Sequence, residues 1–299
     1  MEVYYVVKRG LKPGIYKTWL ECKTAVDGFK NPIFRKFNSF EDANTFYKAD
    51  ISTISTSRPT SRPASRSVSA TTPEKIILTN TNSKNSVIPQ EEMRKIREMV
   101  KHIKHAPFRL DLNYNVAGWN ELDDELYIFT DGSSRKRTEE YDNNKCNSGL
   151  GVYLGYKCIN IKEQYQDRTN NQCELGALDY AFKLIVQYWK ELSEMGKIIK
   201  IVSDSEYSIK ACSVWLNEWK RNNWKTKNGQ DVKNRELIES IDASMLQIKS
   251  INASLEDNKK IKVKLIHVNS HQIPEFQDKF KYSIWFGNYV ADGLSQNTI

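Results

Sequence analysis

Three acidic residues stand where a core-building pattern would not put them, and a fourth follows downstream. Asp131 closes the apolar run Leu126-Tyr127-Ile128-Phe129-Thr130 and falls on the strand face shared by Tyr127 and Phe129. Gly132 comes next and lets the chain turn sharply. Glu174 precedes Leu178 by one helical turn and Ala181 by two, so on a helix it points along the apolar stripe. Asp204 closes a second apolar run, residues 198–203, and Asp292 lies beside Ala291. Carboxylates gathered at the ends of neighbouring strands repel one another unless a cation sits between them. An all-oxygen donor set without Cys or His favours Mg²⁺, with Mn²⁺ as the alternative, over zinc. Two such ions ~3.5–4 Å apart can activate a water and stabilise the leaving oxygen of a phosphodiester. The plainer alternative is that strand-end aspartates cap turns or helices; it accounts for Asp131 or Asp204 singly better than for both together with Glu174.

The elements that would position these acids follow from hydrophobic periodicity. Residues 126–130, 151–156 and 158–164 read as three strands. Residues 170–192 read as an amphipathic helix with Leu175, Leu178, Phe182, Ile185 and Trp189 in one stripe. A strand over 198–203, helices over 205–219 and 235–251, a last strand over 263–268 and a short helix over 288–295 complete the order. This βββαβααβα succession predicts an α/β fold, a mixed five-stranded sheet flanked by helices.

The rest of the chain divides by composition. Its 299 residues suit roughly two domains, and 45 Lys+Arg against 37 Asp+Glu leave a net charge of +8. Residues 51–90 carry five basic residues (Arg58, Arg62, Arg66, Lys75, Lys84) and one acid, Glu74. A basic surplus suits an anionic partner such as nucleic acid, and equally a generic basic surface. The same stretch, dominated by Ser, Thr, Pro, Asn and Arg, cannot bury enough apolar area to offset its ordering entropy, so it reads as a flexible tether. A charged helix over 91–105 falls between this tether and the first long strand. Residues 1–50 form a small α+β domain, with strands over 3–7 and 33–37. One helix opens on the capping box Thr18-Trp19-Leu20-Glu21 and ends near Gly28; a second starts at Ser39. The expected domains are therefore 1–50, a linker over 51–122, and 123–299. Five scattered cysteines without CxxC spacing indicate neither a disulfide framework nor a zinc cluster. No apolar stretch approaches the ~18 residues of a membrane span, so the expectation is a soluble, intracellular, monomeric protein without a membrane partner.

Four strings in order, Phe129-Thr130-Asp131-Gly132-Ser133, Thr169-Asn170-Asn171-Gln172-Cys173-Glu174-Leu175, Ser203-Asp204-Ser205-Glu206-Tyr207 and Gly287-Asn288-Tyr289-Val290-Ala291-Asp292, resemble type 1 ribonuclease H over about 125–297. The resemblance implies that Asp131, Glu174, Asp204 and Asp292 are metal-binding, catalytic acids. It also implies a magnesium-dependent endonuclease that cuts the RNA strand of RNA–DNA hybrids, leaving 5′-phosphate and 3′-hydroxyl ends. His271 falls where the family has a loop histidine that helps protonate or release product. Here, however, the stretch 272–286 separates it from Gly287, which puts its reach in question. His267, four residues earlier, reads as structural.

Trp215 and Trp219 are neighbours at i, i+4, interleaved with Lys220, Arg221, Lys225 and Lys227, a pattern suited to a phosphate backbone with exposed bases. Singly, each tryptophan reads equally as core. The resemblance assigns Tyr207, Trp215 and Trp219 to the channel for the DNA strand, and Thr169 and Asn234, with Asn170, to a DNA phosphate. Ser133, Asn170, Asn171 and Gln172 are short polar groups able to sense 2′-hydroxyls. The first fifty residues resemble the hybrid-binding domain that precedes many eukaryotic members. That likeness implies nucleic-acid contacts by Tyr5, Lys8, Arg9, Trp19, Phe34, Arg35 and Lys36, where the residues alone suggest a core tryptophan and a solvated basic edge. A tether of ~40 residues spans roughly 35 Å r.m.s., which would keep the two domains on one hybrid. Two rivals remain: a hybrid-binding protein that has lost turnover, and another nuclease or recombinase sharing the sheet.

Overall fold

The structure is a computed structural model that describes residues 4–26, 29, 33–37, 39–48, 73–76, 88–135, 146–269, 274 and 276–299. The chain divides into two compact units, Met1–Ser67 and Val68–Ile299.

In the smaller unit, strands β1 (Tyr4–Arg9), β2 (Gly14–Tyr16) and β3 (Ile33–Phe37) form an antiparallel sheet in the order β2-β1-β3. Helix α1 (Trp19–Val26) starts as the sequence predicts. The Thr18 hydroxyl accepts from the Glu21 amide at 3.3 Å, and the Glu21 carboxylate accepts from the Thr18 amide at 3.2 Å. Val7, Cys22, Ala25 and Val26 make the small core, and α2 (Phe40–Lys48) follows Ser39.

The larger unit is built on one mixed sheet. Its long strands are β7 (Glu125–Ser134), β8 (Ser148–Tyr153), β9 (Ile159–Tyr165), β10 (Ile198–Ser203) and β11 (Lys262–Val268), ordered β11-β10-β7-β8-β9. These are the five predicted strands. Three short ones extend them: β4 (Glu74–Ile76) beside β11, β5 (Lys104–Ala106) beside β9, and β6 (Asn120–Leu122) against β7. All three, with helix α3 (Gln90–Val100), come from the stretch predicted to be linker. Ile76, Met93, Ile96, Val100 and Ile103 explain it, because their spacing makes an apolar face that packs on the sheet. The remainder of the predicted tether, 51–72 and 77–87, lies outside the described residues.

Alternation along β7 divides the core. Leu126 and Ile128 face one layer, with helices α4 (Asn170–Gln187), α5 (Trp189–Met195) and α8 (Arg235–Ala253). Tyr127 and Phe129 face the other, with α3 and α9 (Lys279–Ser295). The predicted helix over 170–192 breaks at Tyr188, whose hydroxyl donates to the Leu112 carbonyl at 2.7 Å and accepts from the Tyr114 amide at 2.8 Å. The predicted helix over 205–219 becomes α6 (Glu206–Lys210), a π-type turn over Ala211–Trp215 and α7 (Leu216–Arg221). The last helix is far longer than predicted: α9 begins at Lys279 on an Asp278 cap, so most of the supposed insert is helix. Among the described residues no helix is long and apolar enough to cross a membrane.

Gly287 lets α9 lie on β7. A Cβ there would stand 2.4 Å from the Phe129 ring. We expect Gly287→Ala to cost about 1–3 kcal/mol through overpacking, read as a melting temperature several degrees lower, and Phe129→Leu in the same chain to restore part of it. An unchanged melting temperature for the single variant would contradict this packing.

Candidate active site

β7 and β10 run parallel and in register until Thr130 meets Ser203. Beyond that pair β10 stops, whereas β7 continues to Ser134 on its β8 side. Asp131 therefore sits inside a strand rather than at its end, as the sequence suggested, and Asp204 is the first residue beyond β10. The divergence opens a cavity of about 500 Å³ lined by Asp131, Glu174, Asp204, Glu206, Asp292 and Tyr207, among others.

Glu174 enters from the opposite layer. The backbone of α4 crosses β7 so closely that a Cβ on Gly132 would lie 2.1 Å from the Glu174 amide nitrogen. Asp131, Glu174 and Asp204 thereby each offer an oxygen within 4.8 Å of the others. Asp131 and Glu174 are buried, at 4% and 6% exposure, and Asp204 is half-buried. Asp292 lines the same cavity outside that tight group, its Oδ1 accepting from the Gln296 amide at 2.6 Å.

The electrostatics are those of a site built for cations. Burial, then the neighbouring charges of Asp204 and Asp292, push the Asp131 carboxyl well above its ordinary range, against a hydrogen bond from Ser295. Glu174 is raised in the same way by burial and by Asp131 and Asp204, opposed by the Gly132 backbone and Asn170. The Oε2 atom of Glu174 is buried without a hydrogen-bond partner, while Oε1 accepts from Asn170 Nδ2 at 3.4 Å. A buried orphan oxygen between two repelling carboxylates, with no nitrogen or sulfur donor in the cluster, fits a hard divalent cation.

A row of aromatics leads away from the cavity. Tyr207 stands 6.1 Å from Trp215, and Trp215 5.5 Å from Trp219, ring centre to ring centre. The Asn234 amide donates to the Tyr207 hydroxyl at 3.4 Å. The predicted channel residues are thus contiguous. Ser133 and Asn170 line the cavity, and Asn171 is exposed on the first turn of α4. The Thr169 hydroxyl caps that helix by accepting from the Gln172 amide at 3.3 Å. His271 lies outside the described residues.

Residues 123–297, more than half of the chain, match the RNase H family model, and residues 3–47 match the model of the Ribonuclease H1 N-terminal domain. Ribonuclease H of Schizosaccharomyces pombe is 30% identical over 240 residues, covering 79% of this chain and 83% of that protein. Ribonuclease H1 of Mus musculus is 26% identical over 249 residues, 80% of this chain and 78% of that protein. Ribonuclease H of Clostridium botulinum is 34% identical over 156 residues, 52% of this chain and 89% of that protein. The chain belongs to the ribonuclease H family. It is accordingly a nuclease of the hydrolase class, with the family's amino-terminal module ahead of its α/β sheet.

In that module of this ribonuclease H the predicted contact residues divide between surfaces. Arg9, Phe34, Arg35 and Lys36 are exposed, Phe34 by 41%. Lys8 is buried with its ammonium 4.7 Å from the Phe46 ring centre, and Tyr5 packs against the Val7–Cys22 core. The Trp19 side chain lies outside the described residues.

Two residues of the larger unit's site escaped the sequence reading. The Ser295 hydroxyl donates to Asp131 Oδ2 at 2.5 Å, and Gln296 holds Asp292. Both lie one helical turn past Asp292, a spacing already present in the helix expected over 288–295.

The raised carboxyls of Asp131 and Glu174 fix the sign of a pH effect. Both stay protonated in the fold at pH values where the unfolded chain has already released those protons. The metal-free fold therefore keeps its full stability below the ordinary carboxylate range and loses it as pH rises towards the raised values. Asp131→Asn removes part of that penalty. In melts at about pH 8, the metal-free variant is expected to equal or exceed the parent, and added magnesium to raise only the parent. A variant that melts lower than the parent without metal would refute the repulsion.

Proposed function

We propose that this protein is an endonuclease that hydrolyses the RNA strand of RNA–DNA hybrids, using two divalent cations and leaving 5′-phosphate and 3′-hydroxyl ends. The observation that carries this reading is the triad Asp131, Glu174 and Asp204, two of them buried, with carboxylate oxygens within 4.8 Å of one another and one of those oxygens unpartnered. Asp131, Glu174 and Asp204, with Asp292 at the cavity wall, would hold the cations. When bound, magnesium or manganese supplies the Lewis acidity that a phosphodiester hydrolysis needs at both the attacking water and the departing 3′-oxygen.

The chain's own residues do the rest. Ser295 fixes the rotamer of Asp131, and Asn170 that of Glu174. Ser133, Asn170 and Asn171 sense the 2′-hydroxyls of the strand to be cut. The Tyr207–Trp215–Trp219 row, with Thr169 and Asn234, seats the DNA strand. His271 aids proton delivery and product release. No covalent protein intermediate is required.

Residues 1–50 act as a hybrid-binding domain through Tyr5, Lys8, Arg9, Trp19, Phe34, Arg35 and Lys36, with exposed Arg9, Phe34, Arg35 and Lys36 the foremost contacts. The protein works as an intracellular monomer. Its buried thiols at Cys22, Cys158, Cys173 and Cys212 suit a reducing compartment.

A cleavage panel tests the reaction. Hybrid is expected to be cut with magnesium or manganese, and RNA duplex and DNA duplex to be spared. Asp204→Asn is expected to lower the rate by at least about a hundredfold while hybrid binding survives. Equal cutting of RNA duplex and hybrid would remove the substrate assignment, and metal-independent cutting the mechanism. Deleting residues 1–50 is expected to weaken hybrid binding about tenfold or more at moderate salt and to spare the single cut. Unchanged affinity would remove the role given to that domain.

A further inference from the structure

The cavity that gathers the catalytic acids is a poor place for a polyanion to approach. Asp131, Glu174, Asp204, Glu206 and Asp292 line it, and Arg135 is the one cation among its described lining residues. A second cation, Lys75, is carried by β4, the strand beside β11. Parallel pairing sets Glu74 beside Ile266, Lys75 beside His267 and Ile76 beside Val268. His267 is in turn level with Ser203, and its Nε2 lies 3.3 Å from the Asp204 carbonyl oxygen. β4 thus ends at the height of the catalytic carboxylates.

The faces of this strand are assigned by its neighbours. Ile76 packs with Ile266 and Val268 in the α9 layer, and Glu74 pairs with Lys264 at 3.6 Å. Lys75 therefore projects with His267 to the other side, where α6 begins. Lys75 is exposed and has no hydrogen bond or ion pair among the described residues. An uncommitted ammonium on a strand anchored by a half-buried isoleucine is placed for a ligand rather than for the fold.

We propose that Lys75 is a substrate-contacting residue that neutralises a backbone phosphate of the cleaved strand, on the β11 side of the scissile bond. The inference rests on the hydrolase reading above and adds a contact to it. β4 stands two strands from β10, about 10 Å at the usual ~4.8 Å spacing. At ~3.4 Å of axis per nucleotide that corresponds to about three nucleotides from the cut. A catalytic fragment begun at residue 123 lacks this contact, because β4 belongs to the stretch that composition marks as tether.

The test uses the full chain and a short RNA–DNA hybrid, with affinity measured against salt in chelator and cleavage measured in magnesium. Lys75→Ala is expected to weaken affinity and raise KM about three- to tenfold, and to lower the salt slope by about one, with kcat unchanged. Lys75→Arg should restore affinity and slope. Ile76→Asp, which undocks β4, should match Lys75→Ala, and Lys157→Ala, in the exposed β8–β9 turn, should match the parent. Lys75→Ala with the parent's affinity and slope overturns the proposal, as does Ile76→Asp with the parent's affinity. Those results leave the cleavage reading standing if the parent still cuts hybrid. A parent that fails to cut hybrid while the slope falls in Lys75→Ala keeps the contact and sinks the reaction.

Discussion

Carboxylates with oxygens within 4.8 Å of one another, two of them buried, repel strongly, and everything else in the larger unit is arranged so that they cannot separate. Asp131 is fixed within β7 by pairing to β8, and Asp204 by the end of β10 in register with it. Glu174 is fixed by the passage of α4 over Gly132, where the two backbones approach so closely that no side chain fits. Backbone contacts hold what side-chain rotamers alone would let relax. The energy stored in that repulsion is released by any hard cation that enters, so metal affinity is a property of the fold rather than of the acids taken singly.

Much of this geometry is written in local spacing. The alternation in 126–131 fixes which layer Asp131 joins, and the stripe Leu175, Leu178, Phe182 and Ile185 fixes which way Glu174 points; these four are buried, whereas Trp189, the fifth expected member, is half-buried at the start of α5. What escaped did so for identifiable reasons. Asp131 looked like a strand terminus because Gly132 and two serines follow it, yet Gly132 serves close approach, and the strand runs on to Ser134 because β8 supplies its partners. The expected helix starts only at Asn288 because Gly287 is a poor helix former, and only packing against Phe129 makes that glycine useful. The break at Tyr188 depends on carbonyl and amide partners some 70 residues away in sequence, at Leu112 and Tyr114. No local pattern contains that.

The stretch predicted to be linker, most of which belongs to the larger unit, obeys the same logic. Its composition argues for a chain that buries nothing, and composition averages over residues that behave differently. Ile76 and the series Met93, Ile96, Val100 and Ile103 are few, but their spacing is regular enough to seat one strand and one helix on the second layer of the sheet. A sheet edge left bare on β11 would offer unpaired amides and carbonyls to any other strand; β4 covers part of it with the chain's own backbone.

A site that binds cations through clustered acids carries a physical contradiction, because its substrate is itself a polyanion. Near-field attraction appears only once divalent charge fills the cavity, and even then it acts on one or two phosphates. Affinity for a long duplex has to come from surfaces where acids are absent. In the reading proposed above, that grip would come in the larger unit from the Tyr207–Trp215–Trp219 row, which starts at the cavity wall and leads away from it, and in the small unit from the exposed Arg9, Phe34, Arg35 and Lys36. Stacking and counterion release need no acidic group, so a grip of that kind can be strong without disturbing the carboxylates. Separating grip from chemistry in this way lets the acids be buried as tightly as metal binding requires. It also makes the two functions respond differently to salt, since screening weakens a grip at exposed groups far more than a cluster with two of its three acids buried.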